Sequence, residues 1–384
     1  MGAAGLSADR EPALACLHRT ADAVADAAAR HRAVMPRLVA PRAVARSLAA
    51  ASGALALRHR WRNHATLTVL MFHRVTVPGS VSARRADTRY ALSAPVFAAC
   101  LRFITRHYTV VGLADVLSSR AGGPKLPPRA LLITFDDGWA DNLTVALPLL
   151  RAAGLPALLF AATDPVADPT PWWWQEVLLR ALREDRAGFA ALWAAAGNAP
   201  AADPPAGPAG EPELRLLLRY AALSAEQRAA ALAPWRDAAL AAEGRDMIVP
   251  ADLAELRAGG MAIGAHGAAH LPVSRLPDPG SDIARARAAL AGWLADGAPA
   301  AFSFPHGRYN AAALAAAWAG GFELAFTSDA CLNAVSQGRP EAALLGRISV
   351  DSGGITDAAG RFSPARMATW LFHRPIRRLD DGLG

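Results

Sequence analysis

The chain has 384 residues, and 40 lysines and arginines against 33 aspartates and glutamates give it a formal net charge of +7. Hydrophobic residues make up 53% and charged residues 19%, which excludes a disordered chain, because disorder needs low hydrophobicity and high charge. The basic residues stand singly or in pairs such as Arg84-Arg85, never as a run of five or more. The charge therefore does not indicate a nucleic-acid-binding protein.

Residues 1–62 are rich in alanine and arginine and predict a helical extension. Asp9, Arg10 and Glu11 interrupt the first stretch before the apolar core of a signal peptide develops, and no apolar run reaches the length of a membrane span. We therefore expect a cytoplasmic protein. Peripheral contact with the inner face of the membrane is a further expectation, carried by the arginines of the extension: Arg42, Arg46, Arg58, Arg60 and Arg62.

Short apolar runs, each followed by polar residues, predict the strands of the main domain. The predicted strands are 67–72, 108–111, 130–135, 157–161, 261–265, 300–304, 324–327 and 344–350. The predicted helices between them include 140–153, 252–258, 282–295 and 311–319. This alternation predicts an α/β fold with a parallel sheet, either a (β/α) barrel or an open doubly wound sheet. In both architectures the chemistry lies at the carboxyl ends of the strands.

A second region interrupts the alternation at about 165–250, where prolines, three tryptophans and helical patterns surround a Pro/Gly/Ala-rich loop. We expect a helical insertion within a domain spanning 63–355, followed by a C-terminal helix and tail at 356–384. Trp172 and Trp173 have two interpretations: they either stack against a sugar or anchor the insertion to the domain as hydrophobic side chains.

Two adjacent carboxylates, Asp136 and Asp137, follow the strand 130–135 and precede Gly138. Such carboxylates repel one another when both are ionised, unless a cation lies beside them. Because successive side chains of a strand point to opposite sides, we expect the two to have different roles. The alternative is that one of them caps the helix 140–153.

His266 and His270 follow the strand 261–265 at a four-residue spacing, which places both on one face of a turn. Two histidines and one carboxylate form a metal-ligand set with open positions for water and substrate, and leave the second carboxylate as a general base. Non-haem iron oxygenases use the same set, but usually on antiparallel β-rich folds. Structural histidines are the remaining alternative.

Two further strand ends carry polar groups. His73 follows the strand 67–72, and the turn Pro305-His306-Gly307 follows the strand 300–304. A tight turn at this edge presents backbone N–H groups that stabilise a developing oxyanion.

The motif Thr134-Phe135-Asp136-Asp137-Gly138, followed by His266 and His270, resembles the polysaccharide deacetylase family (carbohydrate esterase family 4, the NodB homology domain). The segment 302–307 resembles the third motif of this family, and Met71-Phe72-His73-Arg74 is similar to a segment of its bacterial exopolysaccharide deacetylase branch. The resemblance covers roughly 66–352. It implies a distorted (β/α) barrel that removes N- or O-acetyl groups from sugars with a divalent metal, often zinc.

The resemblance also implies roles for individual residues. Asp136 is implied as the general base, and Asp137, His266 and His270 as ligands of a metal that polarises the acetyl carbonyl. Zinc is expected, with cobalt or another divalent ion as alternatives. The substrate-binding turn around His306 is implied to hold the oxyanion with a backbone N–H, and its flanking residues are Pro305 and Gly307.

The sequence departs from the family pattern at three positions. Gly267 replaces the usual Ser or Thr after the first metal histidine, and Ser303 stands where many members carry an arginine that braces the base. Arg347 ends a Leu-x-Arg segment in place of the Leu-x-His that supplies the general acid. His73 is then the preferred candidate for the acid, and His306 the next.

These observations predict a metal-dependent carbohydrate deacetylase that acts on an acetyl group, N-acetyl in the first instance, of a surface polysaccharide or its lipid-linked precursor. The sequence does not identify the acetylated substrate, and a peptidoglycan fragment is a third alternative. The alternative is a catalytically impaired carbohydrate-binding relative, because the general-acid motif is not intact.

Overall fold

The computed structural model describes residues 53–184, 188–197, 212–236 and 244–383. Most of the predicted extension, with Arg42 and Arg46, lies outside these residues. Its last part forms helix α1 (Ala54–Arg62). No helix within the described ranges is both long and apolar enough to cross a bilayer.

Fourteen strands occur in the described residues. In chain order they are β1 (Thr66–Phe72), β2 (Arg74–Thr76), β3 (Ala91–Ser93), β4 (Thr109–Val110), β5 (Ala130–Phe135), β6 (Ala157–Ala161), β7 (Met261–Ala265), β8 (Ala301–Ser303), β9 (Leu324–Phe326), β10 (Leu332–Ser336), β11 (Arg339–Pro340), β12 (Leu344–Leu345), β13 (Ile348–Ser349) and β14 (Ile376–Arg377).

The helices that follow α1 are α2 (Val81–Arg85), α3 (Ala94–His107), α4 (Leu113–Arg120), α5 (Leu147–Ala153), α6 (Thr163–Ala167), α7 (Trp174–Glu184), α8 (Gly188–Ala195), α9 (Pro212–Ala221), α10 (Ala225–Leu232), α11 (Asp252–Ala258), α12 (Pro279–Trp293), α13 (Ala311–Ala319), α14 (Ser352–Ile355) and α15 (Pro364–Phe372). A π-helical turn at Asn142–Ala146 precedes α5.

The main sheet has the order β11-β10-β1-β5-β6-β7-β8-β9-β12, and the strands from β1 to β12 in this order run parallel. The segment Leu344–Ser349 joins the two ends of this parallel series, because β12 pairs with β9 while β13 pairs with β1. The predicted strand 344–350 is thus two short strands separated by Gly346 and Arg347. This closure gives the expected distorted (β/α) barrel and excludes the open doubly wound sheet.

The barrel strands are apolar on both faces because helices cover the outside and side chains fill the inside. Every residue of β1, β5 and β6 is buried. The predicted strands 130–135, 157–161 and 261–265 and the helices 252–258 and 311–319 match the observed bounds. Gly154 ends α5 with φ 65°, the left-handed conformation expected of a C-terminal glycine cap.

The helical insertion expected at about 165–250 contains α7, α8, α9 and α10 in its described part. These helices bury their own apolar cluster, which includes Leu178, Leu192, Leu216 and Tyr220. The C-terminal helix is α15, which ends just before His373.

Candidate active site

The predicted site residues meet at the carboxyl ends of the barrel strands, where a cavity of about 710 Å³ opens. Its floor holds the candidate chemical groups: His73, Asp136, Asp137, His266, His270 and His306. The insertion supplies another part of its lining: Glu176, Leu179, Arg183, Glu213, Leu214 and Leu217.

The turn after β5 separates the two adjacent aspartates. The backbone N–H of Asp136 donates to the carbonyl of Phe72 at 3.0 Å and so continues the ladder to β1. Asp137 has φ 77° and Gly138 has φ 96°, so the chain turns sharply through two left-handed residues. A non-glycine residue held in this conformation is strained, and such strain is common at active sites. The two carboxylates consequently face different partners, as expected from the sequence.

Asp137 faces the two histidines. Its Oδ1 lies 3.1 Å from Nε2 of His270 and 3.5 Å from Nε2 of His266, and the ligand atoms of the three residues all lie within 4.8 Å of one another. Two ligand atoms of a tetrahedral zinc, each bonded at about 2.0–2.1 Å, lie about 3.3 Å apart. The three donors therefore fit a small divalent metal with open coordination positions.

The outward nitrogens of both histidines are already hydrogen-bonded. Nδ1 of His266 lies 2.8 Å from the backbone oxygen of Ser303 in β8, and Nδ1 of His270 lies 2.9 Å from Oε1 of Gln175 in α7. Because both partners accept, each Nδ1 carries the proton and each Nε2 presents a lone pair to the cluster. Burial lowers the pKa of His266 to about 4, which favours the neutral, metal-binding form.

The histidine loop is supported by Asp282 of α12. Its two carboxylate oxygens accept from the backbone N–H groups of Ala268 at 2.9 Å and of Ala269 at 3.0 Å. Gly267 has φ 69°, and a Cβ atom there would lie 2.8 Å from Asp282 Oδ2. The hydroxyl that Gly267 lacks is therefore replaced by a carboxylate from a neighbouring helix, and glycine leaves the space for it.

Asp136 faces Arg347, which occupies the break between β12 and β13 and is completely buried. The guanidinium donates to both carboxylate oxygens, at 2.6 and 2.7 Å, and also to Oγ of Ser303 at 2.7 Å. Burial by itself raises the pKa of Asp136, but the charge and hydrogen bonds of Arg347, together with the nearby His266 and His73, outweigh burial and hold this pKa below its usual value. Arg347 thus performs the bracing that the sequence pattern assigned to an arginine at position 303.

The other predicted residues lie around this cluster. His73 lines the cavity with its ring against Tyr90, at a centroid distance of 4.9 Å. His306 has φ 57°, and its ring lies 4.6 Å from that of His270, while Gly307 also lines the cavity. Pro305 opens the same turn and is buried.

The two predicted sugar-binding tryptophans are placed differently. Trp173 is 5% exposed, and its ring packs against Trp139 and His270 at centroid distances of 5.3 and 5.0 Å. Trp172 packs on the apolar cluster of the insertion, with the guanidinium of Arg236 4.8 Å from its ring centroid. The contacts of Trp173 fit the anchoring interpretation, those of Trp172 lie within the insertion itself, and sugar stacking, for which Trp173 also lines the cavity, stays a prediction.

Sequence reasoning missed Arg347, Asp282 and Gln175 as residues of the site. The absence of an arginine at position 303 was a signal for Arg347, because a buried carboxylate needs a cation and another arginine must then supply it. Gly267 was a similar signal for Asp282. Nothing in the sequence pointed to Gln175, which lies in the insertion.

The comparisons with known proteins agree with this geometry. The family model described as Polysaccharide deacetylase matches residues 123–325, just over half of the chain. The chain belongs to the polysaccharide deacetylase family. It is accordingly a carbohydrate deacetylase, as the sequence motifs predict. A search of the curated proteins gave no match.

Two solved structures show the same fold. The Streptococcus pyogenes deacetylase PplD, in complex with acetate, is 15% identical with a TM-score of 0.50, over 80% of this chain and 98% of its own. IcaB from Ammonifex degensii is 20% identical with a TM-score of 0.50, over 80% of this chain and 97% of its own. At identities this low, the structural similarity supports the distorted-barrel fold and gives no information about the substrate.

Proposed function

We propose that this deacetylase is metal-dependent and removes an acetyl group, N-acetyl in the first instance, from a sugar of a surface polysaccharide or its lipid-linked precursor. The main observation behind the proposal is that the two adjacent aspartates contact different partners. Asp137 faces two histidine nitrogens at 3.1 and 3.5 Å, while Asp136 is paired with a buried guanidinium.

Asp137, His266 and His270 would hold the metal, for which zinc suits the nitrogen and oxygen donors. When bound, such an ion polarises a carbonyl and activates water at neutral pH. The oxygen of Asp137 that does not face the histidines accepts from Nε1 of Trp139 at 2.8 Å, so the ligand carboxylate is held in one orientation.

Asp136 would accept the proton of the attacking water, since its pairing with Arg347 keeps it ionised. Its Oδ2 lies 3.7 Å from Nε2 of His266, so the base borders the metal-ligand cluster. His73 would donate a proton to the departing amine from across the cavity, and His306 is the second candidate for this role. A backbone N–H of the 305–307 turn would face the oxyanion.

Acetate release from a panel of acetylated sugars tests the proposal. We expect zinc-loaded protein to release acetate from at least one N-acetylated oligosaccharide or lipid-linked N-acetyl sugar, and chelation to abolish the release until zinc or cobalt is restored. Protein shown by elemental analysis to be metal-free and yet fully active would contradict metal dependence. Release from O-acetyl sugars alone would contradict N-deacetylation.

We also propose that α1 contacts an anionic membrane surface, where a lipid-linked substrate would be found. Leu57 is 70% and Trp61 86% exposed, and they lie on one face of the helix at i and i+4. Arg58 and Arg60 flank this face, whereas the guanidinium of Arg62 donates to the backbone oxygens of Phe372 and Arg374, and α1 contains no acidic residue. Exposed tryptophan flanked by arginine favours the interface of an anionic bilayer.

Co-sedimentation with vesicles tests this contact. We expect the full chain to bind vesicles that contain phosphatidylglycerol more strongly than pure phosphatidylcholine, and Trp61→Ser to weaken that binding severalfold. Val77→Ser provides the control, because Val77 is 52% exposed in the loop between β2 and α2, away from α1 in the sequence. Equal binding by the chain with and without Trp61 would contradict the assignment to α1.

A further inference from the structure

We propose that the helical insertion sets the metal affinity of the barrel, through Gln175 acting as a positioning residue for His270. This inference rests on the proposed metal dependence. The inference goes beyond the metal site because it assigns a role to the insertion, a segment outside the strands and loops that carry the proposed ligands.

Gln175 lies in the first turn of α7 and is 1% exposed. Its Oε1 accepts from Nδ1 of His270 at 2.9 Å, and its Nε2 donates to the backbone oxygen of Ala269, also at 2.9 Å. Because a backbone oxygen can only accept, the second bond fixes which end of the amide faces the histidine. The amide of Gln175 therefore holds both the tautomer and the ring orientation of His270.

The outer hydrogen bond of the other proposed ligand, His266, involves no partner side chain. His266 donates to the backbone oxygen of Ser303, which belongs to barrel strand β8 and is present whatever residue occupies that position. The support of His270 is a single amide that one substitution removes. The two ligands of the same cluster therefore differ in how easily their outer hydrogen bond can be altered.

The base of the insertion reinforces this arrangement. We call the segments 173–175 and 246–248 the insertion neck. The backbone N–H of Ile248 donates to Gly138 at 2.9 Å, and that of Ala140 donates to Asp246 at 2.8 Å. These two bonds hold the chain directly after Asp137, at Gly138 and Ala140. The carboxylate of Asp246 also accepts from the backbone N–H of Trp173 at 3.0 Å and so ties the two segments together.

The insertion neck consequently contacts one proposed ligand, His270, directly and a second, Asp137, through Trp139. Trp173 packs against the ring of His270, and it packs against Trp139, which donates to Asp137. Residues that orient metal ligands typically change metal affinity 10–100-fold when they are removed. Gln175 is the member of the neck that bonds a ligand side chain directly, so its removal is expected to have an effect of this size.

Zinc affinity, measured by competition with a chromophoric chelator, tests the inference without reference to activity. We expect Gln175→Met, of similar length but without an acceptor for His270, to weaken zinc binding about 10–100-fold. Gln175→Glu keeps an acceptor at the same reach and should retain affinity close to that of the unmodified chain. Gln227→Leu, at an exposed capping position of α10 in the same insertion, should leave the affinity unchanged.

The outcomes separate the two proposals. An unmodified chain that binds no zinc would overturn the metal site itself. Zinc binding by the unmodified chain and by Gln175→Met with equal affinity would overturn only the role of Gln175. If circular dichroism shows that Gln175→Met is unfolded, Gln175→Glu decides alone, because a loss of affinity there would contradict support by an acceptor.

Discussion

The barrel and the insertion support the two halves of the active site in different ways. The barrel holds His266 through a backbone oxygen of β8 and holds Asp136 through a guanidinium placed by the strand break at Arg347. The insertion holds His270 through one amide side chain. The support of His266 belongs to the backbone of the barrel and resists substitution, whereas the supports of Asp136 and His270 are side chains that one substitution each removes. We therefore expect the orientation of His270 and the ionisation of Asp136 to vary more easily than the orientation of His266.

Removal of the base is expected to give the largest effect and to leave the metal half intact. Asp136→Asn should lower kcat/KM by about 10²–10⁴-fold, the usual contribution of a general base. Zinc content should be unchanged, because Asp137 and the histidines keep their partners. Thermal stability should fall, since Arg347 is then buried opposite an amide.

Asp115→Asn is the matched control, because Asp115 is an exposed carboxylate at the start of α4. Its activity and zinc content should equal those of the unmodified chain. An Asp136→Asn variant that loses its zinc together with its activity would contradict the separation of base and metal ligand.

Replacement of the brace should change the pH dependence of the reaction. In Arg347→Met the guanidinium charge is lost while burial remains, so the pKa of Asp136 rises. The base is then protonated at a higher pH, and the acidic limb of the kcat/KM profile moves towards neutral pH. The measurement is a pH profile of kcat/KM for both proteins, and an unmoved acidic limb would count against Asp136 as the base.

The sequence pointed to Asp136 as a candidate site residue, but sequence reasoning did not point to Arg347. Asp136 was evident because apolar β5 runs directly into it, and the carboxyl end of a parallel strand is where catalytic groups lie. Arg347 was not assigned, because its contact with Asp136 depends on a strand that breaks between two partners. The segment Leu344 to Val350, whose residues are apolar apart from Gly346, Arg347 and Ser349, predicted one strand instead.

The same reason explains why the supports of the metal ligands were missed. Ligand spacing is local in the sequence, and His266 and His270 are four residues apart. Gln175 and Asp282 approach them only after α7 and α12 have packed onto the barrel. The helix predicted at 140–153 was also incomplete, since its first part is a π-helical turn at Asn142–Ala146, which no periodicity in the sequence indicated.

The smallest effect is expected at Gly267, beside which the carboxylate of Asp282 supports the histidine loop. Gly267→Ser would restore the usual family residue but place a Cβ atom 2.8 Å from Asp282 Oδ2 at φ 69°. The conformation alone costs about 1–2 kcal/mol for a residue with a side chain. We expect a loss of free energy of unfolding above this amount, measured by denaturant titration.

Gly154→Ser isolates the conformational cost, because Gly154 has φ 65° and no atom within 4 Å of an added Cβ. It should cost less than Gly267→Ser. Equal losses would show that Asp282 yields to the new side chain and is not needed in its observed position.

The break between β12 and β13 has a consequence for when this enzyme becomes active. The six residues Leu344–Ser349 both close the barrel and deliver Arg347 to Asp136. All the proposed metal ligands precede this segment in the chain. The ribosome has therefore synthesised them before it reaches Arg347, the residue whose charge lowers the pKa of Asp136. Nascent or truncated chains that end before Arg347 would therefore carry the proposed metal ligands without the cation that lowers the pKa of Asp136, and the full site would be assembled only when the last barrel strand has docked.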